Sequence, residues 1–107
     1  MSRQAADARP VLLDSLSERE LQAAVVDGLQ QRGYRVWHVV DARLMAAGLP
    51  DIVAVRAGSP LLLWELKSST GRVRPAQRTA LDTLAAASGS DVRLVRPADW
   101  DRLSERW

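Results

Sequence analysis

Gly48-Leu49-Pro50-Asp51 is followed, thirteen residues beyond the proline–aspartate step, by Trp64-Glu65-Leu66-Lys67. An aspartate opening one strand and a Glu-x-Lys on the next can gather two carboxylates and an ammonium at one point. Alternate residues of a strand share a face at a spacing of roughly 7 Å, so Glu65 and Lys67 point the same way. Asp51, Glu65 and the main-chain carbonyl of Leu66 then offer oxygens to an octahedral magnesium ion, with waters and a phosphate oxygen filling its shell. A metal so held acidifies a bound water and steadies charge on phosphorus during attack. Lys67 can orient that water or neutralise the developing negative charge. The chemistry implied is phosphodiester hydrolysis. The competing reading is plain: an exposed Glu-x-Lys is commonly a solvated charge pair. The flanks speak against it, because Leu61-Leu62-Leu63-Trp64 and Leu66 describe a strand buried on both faces, where an unpartnered charge is expensive.

The elements around this set must place it. Ser17 with Glu20 fits a capping box and Leu16 with Leu21 the accompanying hydrophobic staple, although Ser15 with Glu18 is a competing register. The helix runs through Leu29 and stops at Gly33. At 100° per residue, Leu21, Val25 and Leu29 lie within about 60° of Glu18, while Glu20 falls on the opposite side. Glu18 is therefore an acid on the core-facing stripe, or else a first-turn acid favoured by the helix dipole. Tyr34 to Val40 reads as a strand from its β-branched and aromatic content. Asp51 to Arg56 and Leu61 to Lys67 read as two more, joined through Ala57-Gly58-Ser59-Pro60. Pro75 opens a second helix that Gly89 closes. Along it Gln77 shares a stripe with Leu81, Leu84 and Ala85, so an amide points where the apolar face points. It either satisfies a buried polar group or positions a ligand of the site. Asp91 to Arg96 is a fourth strand. Pro97 opens a last helix with Trp100, Leu103 and Trp107 on one stripe. The order α-β-β-β-α-β-α predicts an α/β fold, a small mixed sheet flanked by helices.

Composition bounds the chemistry. The 107 residues make one domain, with residues 1–14 as a loose arm and 15–107 as the folded unit. There is no cysteine and one histidine, which removes zinc ribbons, thiol catalysis and multi-histidine centres. Any metal is then held by oxygen, which favours magnesium or manganese. The net charge of +2 permits nucleic-acid binding without requiring it. No apolar stretch approaches the roughly 20 residues of a membrane span. The polar start carries no signal-peptide pattern, so the expected location is the cytoplasm.

Five stretches in order resemble the PD-(D/E)XK nuclease superfamily and, within it, the VRR-NUC group, many of whose small members are phage-borne. They are Ser17 to Gln22, Ala47 to Asp51, Trp64 to Lys67, Gly71 to Gln77 and Val95 to Trp100. The resemblance implies a restriction-endonuclease-like αβββαβ core. It carries metal ligation to Asp51 and Glu65 and the catalytic lysine to Lys67. Glu18 matches the helix glutamate that meets the metal directly or through water, as in the first motif of archaeal Holliday junction resolvases. Gln77 matches the glutamine that opens the second helix. Relatives often have a more basic loop before Gly-Leu-Pro-Asp. Here residues 41–47 offer only Arg43, so Arg72, Arg74 and Arg78 are the better candidates for phosphate contacts, arginine pairing with phosphate bidentately. His38 reads as structural, and Trp37, Trp64, Trp100 and Trp107 as core or subunit contacts rather than base-stacking platforms.

The expectation is a magnesium-dependent DNA endonuclease, manganese substituting, in which water attacks phosphorus and leaves a 5′-phosphate. Branched or Holliday junction DNA is the favoured substrate. Symmetric cutting of a branch calls for a twofold homodimer, with Val11-Leu12-Leu13 and the last helix as interfaces. Two alternatives stand beside it: a nucleic-acid-binding module without catalysis, and a restriction-type enzyme cutting duplex.

Overall fold

The computed structural model describes residues 13–38, 49–87 and 89–106. Most of the arm, the loop bearing Arg43, and Trp107 lie outside the described residues, so the expectations placed on them stand as they were.

Helix α1 spans Glu18–Gln31, and its cap settles the choice of register. The Ser17 hydroxyl accepts from the Glu20 N–H at 3.0 Å, and the Glu20 carboxylate accepts from the Ser17 N–H at 3.1 Å. Those two bonds hold the Glu20 carboxyl below its usual range. They satisfy two otherwise orphaned donors with one pair of side chains and leave Glu18 out of the cap. The helix ends at Gln31, two residues short of Gly33, whose φ of 85° turns the chain into the sheet. That backbone angle suits glycine, which has no Cβ to clash.

Strands β1 (Arg35–His38), β2 (Ile52–Val55), β3 (Leu61–Leu66) and β4 (Ser90–Val95) form one mixed sheet in the order β1-β2-β3-β4. The first three run antiparallel, while β4 lies parallel to β3. A parallel neighbour cannot be reached by a hairpin, and helix α2 (Pro75–Ala86) supplies the crossover. Helix α3 (Pro97–Arg106) follows β4 directly. No described helix is long and apolar enough to cross a membrane.

The two faces of the sheet are covered differently. Ile52, Ala54, Leu62, Trp64 and Leu66 point to one side, and each is exposed by 2% or less. They pack in one cluster with Leu21, Val25 and Leu29 of α1 and with Val95, and Trp100 and Leu103 of α3 close over it. Trp100 meets Trp64 edge to face at 6.4 Å between ring centres, a preferred aromatic geometry. Gly28 makes that approach possible, since a Cβ there would overlap the Trp100 indole. Arg32 ties the same two helices, donating to the carbonyls of Gly28 and Ser104.

On the other side α2 buries Leu81 and leans on β4. Val53, Val55, Leu61 and Leu63 there are only half-buried. The expectation that β3 is buried on both faces therefore holds at its C-terminal end alone. Among the described residues, the helix on this face leans on β4, away from the β1–β2 half. Trp37 stands on that half and is 48% exposed, which removes the core part of its reading and leaves the subunit contact as it was.

Candidate active site

The pairing of Ile52 with Trp64, continued by one residue, sets Asp51 across from Glu65. Directly opposite residues of an antiparallel pair share a face, so the two carboxylates meet. Pro50, buried, leads the chain into this position. Asp51 is then held by an anchor of its own, its Oδ2 accepting from the Leu66 N–H at 2.8 Å.

Glu65 is 1% exposed and is the buried charged side chain of the described core. Its Oε2 accepts from the Gln77 Nε2 at 3.0 Å. The same amide turns its Oε1 to the N–H of Arg74 at 2.9 Å, capping α2. One glutamine thus closes a helix end and fixes a carboxyl, because an amide can donate and accept at once. This accounts for the amide on an otherwise apolar stripe.

The Glu65 carboxyl is pushed up to about 9. Burial is the largest cause, followed by its hydrogen bond with Asp51, then by the negative charge of Asp51, with that of Glu18 adding. The Lys67 ammonium works in the opposite direction. Two carboxylates in hydrogen-bond contact out of water cannot both carry charge unless a cation joins them. Glu65 therefore holds its proton to higher pH than an ordinary glutamate.

Glu18 is exposed rather than part of the buried stripe, which begins at Leu21. The helical-wheel angle was right, but the wheel carries no information on how far along its axis the sheet extends. Glu18 lies beyond the covered length, and its charge is felt at Glu65 across space. Among the described residues no group of three or more Asp, Glu, His or Cys side chains is placed to hold a metal ion. Asp51 and Glu65 are therefore two side-chain donors, and Glu18 does not complete a cage with them.

Lys67 follows β3, its N–H donating to the Val95 carbonyl at 3.1 Å. Arg72, Arg74 and Arg78 are all exposed, on the loop and first turn that lead into α2. That loop has a clamp which the residue pattern did not single out. The Arg96 guanidinium donates to the carbonyls of Ser68 at 2.6 Å and Gly71 at 2.9 Å. Arg96 lies in one of the five matching stretches, but nothing in its spacing says where its side chain goes. His38 is exposed and its Nδ1 meets the Gln22 Nε2 at 3.3 Å, on the opposite sheet face from Glu65.

A mixed four-stranded sheet flanked by helices, with paired carboxylates where β2 begins and β3 ends, defines an α/β domain built around an acidic centre. The VRR-NUC domain matches residues 4–99, so the chain belongs to that family and is a nuclease-type domain of the PD-(D/E)XK kind. No curated protein and no solved structure matches it.

Proposed function

We propose that the protein is a magnesium-dependent endonuclease that hydrolyses DNA phosphodiester bonds, selecting branched DNA. The observation that carries this reading is the Asp51–Glu65 pair at one end of the sheet, Glu65 buried and half-buried Asp51 beside it, braced by Gln77 and the Leu66 N–H. The donors fit a hard divalent ion. They are oxygens alone, two of them from carboxylates whose mutual repulsion a cation relieves. Asp51, Glu65 and the Leu66 carbonyl would hold magnesium or manganese, with Glu18 reaching it through water. When bound, the ion lowers the pKa of a coordinated water and stabilises charge on the phosphoryl group.

The chain's own groups do the rest. Gln77 keeps Glu65 aimed at the pair and Asp51 is fixed by its main-chain bond, so the site needs little reorganisation. The Lys67 ammonium orients the attacking water and offsets negative charge developing on phosphorus. Water adds to phosphorus, the bond to the 3′ oxygen breaks, and the products are a 5′-phosphate and a 3′-hydroxyl. Arg72, Arg74 and Arg78 present guanidinium groups to the flanking phosphates, with Arg43 a further candidate. Because two cuts resolve a branch, a twofold homodimer goes with this reading. Its setting is the cytoplasm of a bacterial or phage-infected cell.

Labelled linear, flapped and four-way DNA, incubated with and without magnesium, test the proposal. Magnesium-dependent cutting of the branched forms is the expected result. Binding without cutting would replace the enzyme by a binding module, and fixed cuts in linear duplex would replace it by a restriction-type activity. A monomer by light scattering at micromolar concentration would remove the dimer.

A further inference from the structure

Trp37 lies on the same sheet face as the acid pair. It pairs with Val53, which pairs with Leu63, and Asp51 and Glu65 stand two residues along from these on their own strands. From strand spacing and rise, Trp37 is about 8 Å from Asp51 and about 12 Å from Glu65, measured along the backbone lattice. A single exposed aromatic is ordinary. This one differs in its surroundings: it is the large apolar side chain left exposed among the described residues, and the Arg35 guanidinium lies 5.0 Å from its ring centre.

We infer that Trp37, with Arg35, is a stacking platform for an unpaired base of the strand that enters the acid site. The inference rests on the nuclease reading and narrows it. Among branched DNAs, the preferred substrates are those with unpaired nucleotides beside the scissile bond, such as flaps and forks, over fully paired four-way junctions.

Charge complementarity selects nucleic acid as the occupant. An indole offers a flat surface to any base, and a neighbouring guanidinium can follow the phosphate of the stacked nucleotide. A second copy of the chain fits less well. A stable interface takes about 800 Å² from each partner, whereas β1 is four residues long and sets exposed Arg35 beside Trp37 on the same face. A twofold contact through Trp37 would also bring the two Arg35 charges together.

The test uses the full chain, with Trp37→Ala, Trp37→Tyr and Arg35→Ala, and a flapped DNA carrying 2-aminopurine at the unpaired position nearest the branch. Calcium replaces magnesium so that binding is read without cutting. Wild type should quench the probe, and Trp37→Ala should not. The preference for flapped DNA over blunt duplex should fall by about tenfold in Trp37→Ala, the size expected for loss of one stacked base. Trp37→Tyr should recover most of it, and Arg35→Ala should fall between. An unchanged preference in Trp37→Ala overturns the inference, as does equal weakening on flapped DNA and duplex. A Trp37→Ala protein that loses a dimer in sedimentation also overturns it, making Trp37 a subunit contact. If wild type cuts branched DNA in magnesium while the probe stays unquenched, the platform alone falls. If wild type neither binds nor cuts any of these DNAs, the nuclease reading falls first.

Discussion

The two faces of this sheet are made of the same strands and serve different ends. On one, Ile52, Ala54, Leu62, Trp64 and Leu66 are withdrawn from water beneath α1 and α3. On the other, among the described residues, one helix covers the β4 side and reaches buried Glu65 through Gln77, while half-buried valines and leucines, Asp51 and an exposed tryptophan share the rest. Trp64 and Trp37 make the contrast concrete. The first is locked edge to face against Trp100 in the core; the second is half exposed, with a guanidinium against its ring. Stability is concentrated on one face, which leaves the other free to hold groups that do not favour folding. Glu65 is such a group, since a buried carboxyl beside an aspartate is tolerated rather than stabilising.

Changing each face separately tests this division. The largest effect belongs to Glu65→Gln, which should abolish cleavage of branched DNA while gel-shift affinity stays close to wild type. Chemical denaturation of the metal-free variant should show no loss of stability at pH 8, because a neutral amide removes the need to take up a proton on folding. A large loss of stability with cleavage intact would reverse the roles assigned to the two faces. Next is Trp64→Ala, expected to cost about 3–5 kcal/mol by urea denaturation, a large share of the roughly 5–15 kcal/mol available to a domain. Truncation of half-buried Leu63 on the opposite face should cost clearly less.

The pH dependence of stability is a finer probe. Glu65 in the folded protein binds its proton more tightly than in the unfolded chain, with a pKa raised from 4.5 to about 9. Its contribution is therefore complete below about pH 4.5 and is lost as pH rises toward about 9. The metal-free melting temperature should fall across that window. Added magnesium or manganese should recover more of it at pH 8 than at pH 5, since a bound ion stabilises the folded state it selects. Equal shifts at both pH values would argue against an ion between these carboxylates. The smallest effect is Ser17→Ala, which removes half of the α1 cap and should cost about 1 kcal/mol, measured as a shift in the urea midpoint.

Much of the fold was readable from local pattern. Pro75 at a helix start, Gly33 at a helix stop and the β-branched runs of β1 and β2 act through near neighbours, so their elements fall within a few residues of expectation. The Asp51–Glu65 encounter was readable too, because a short connection between two strands restricts their register. Gln77 stood out as an amide among leucines. Other features could not be read this way. Ser15 and Ser17 offered equivalent caps to α1 until packing chose one. Glu18 has the right angle on its helix yet lies past the covered length, a matter of where α1 sits on the sheet. Arg96 reaches back 25 and 28 residues to clamp the basic loop, and long flexible side chains leave no periodic trace of such contacts.

Residue order alone determined the succession of helices and strands, the oxygen-only character of any metal site, and which acids could share a face. These follow from dihedral preferences, side-chain alternation and donor chemistry, all of which act over a few bonds. The tertiary structure decided how completely each sheet face is covered, and with that the protonation of Glu65 and the exposure of Trp37. Solvent exclusion is a collective property of packed elements, and no single stretch of chain encodes it.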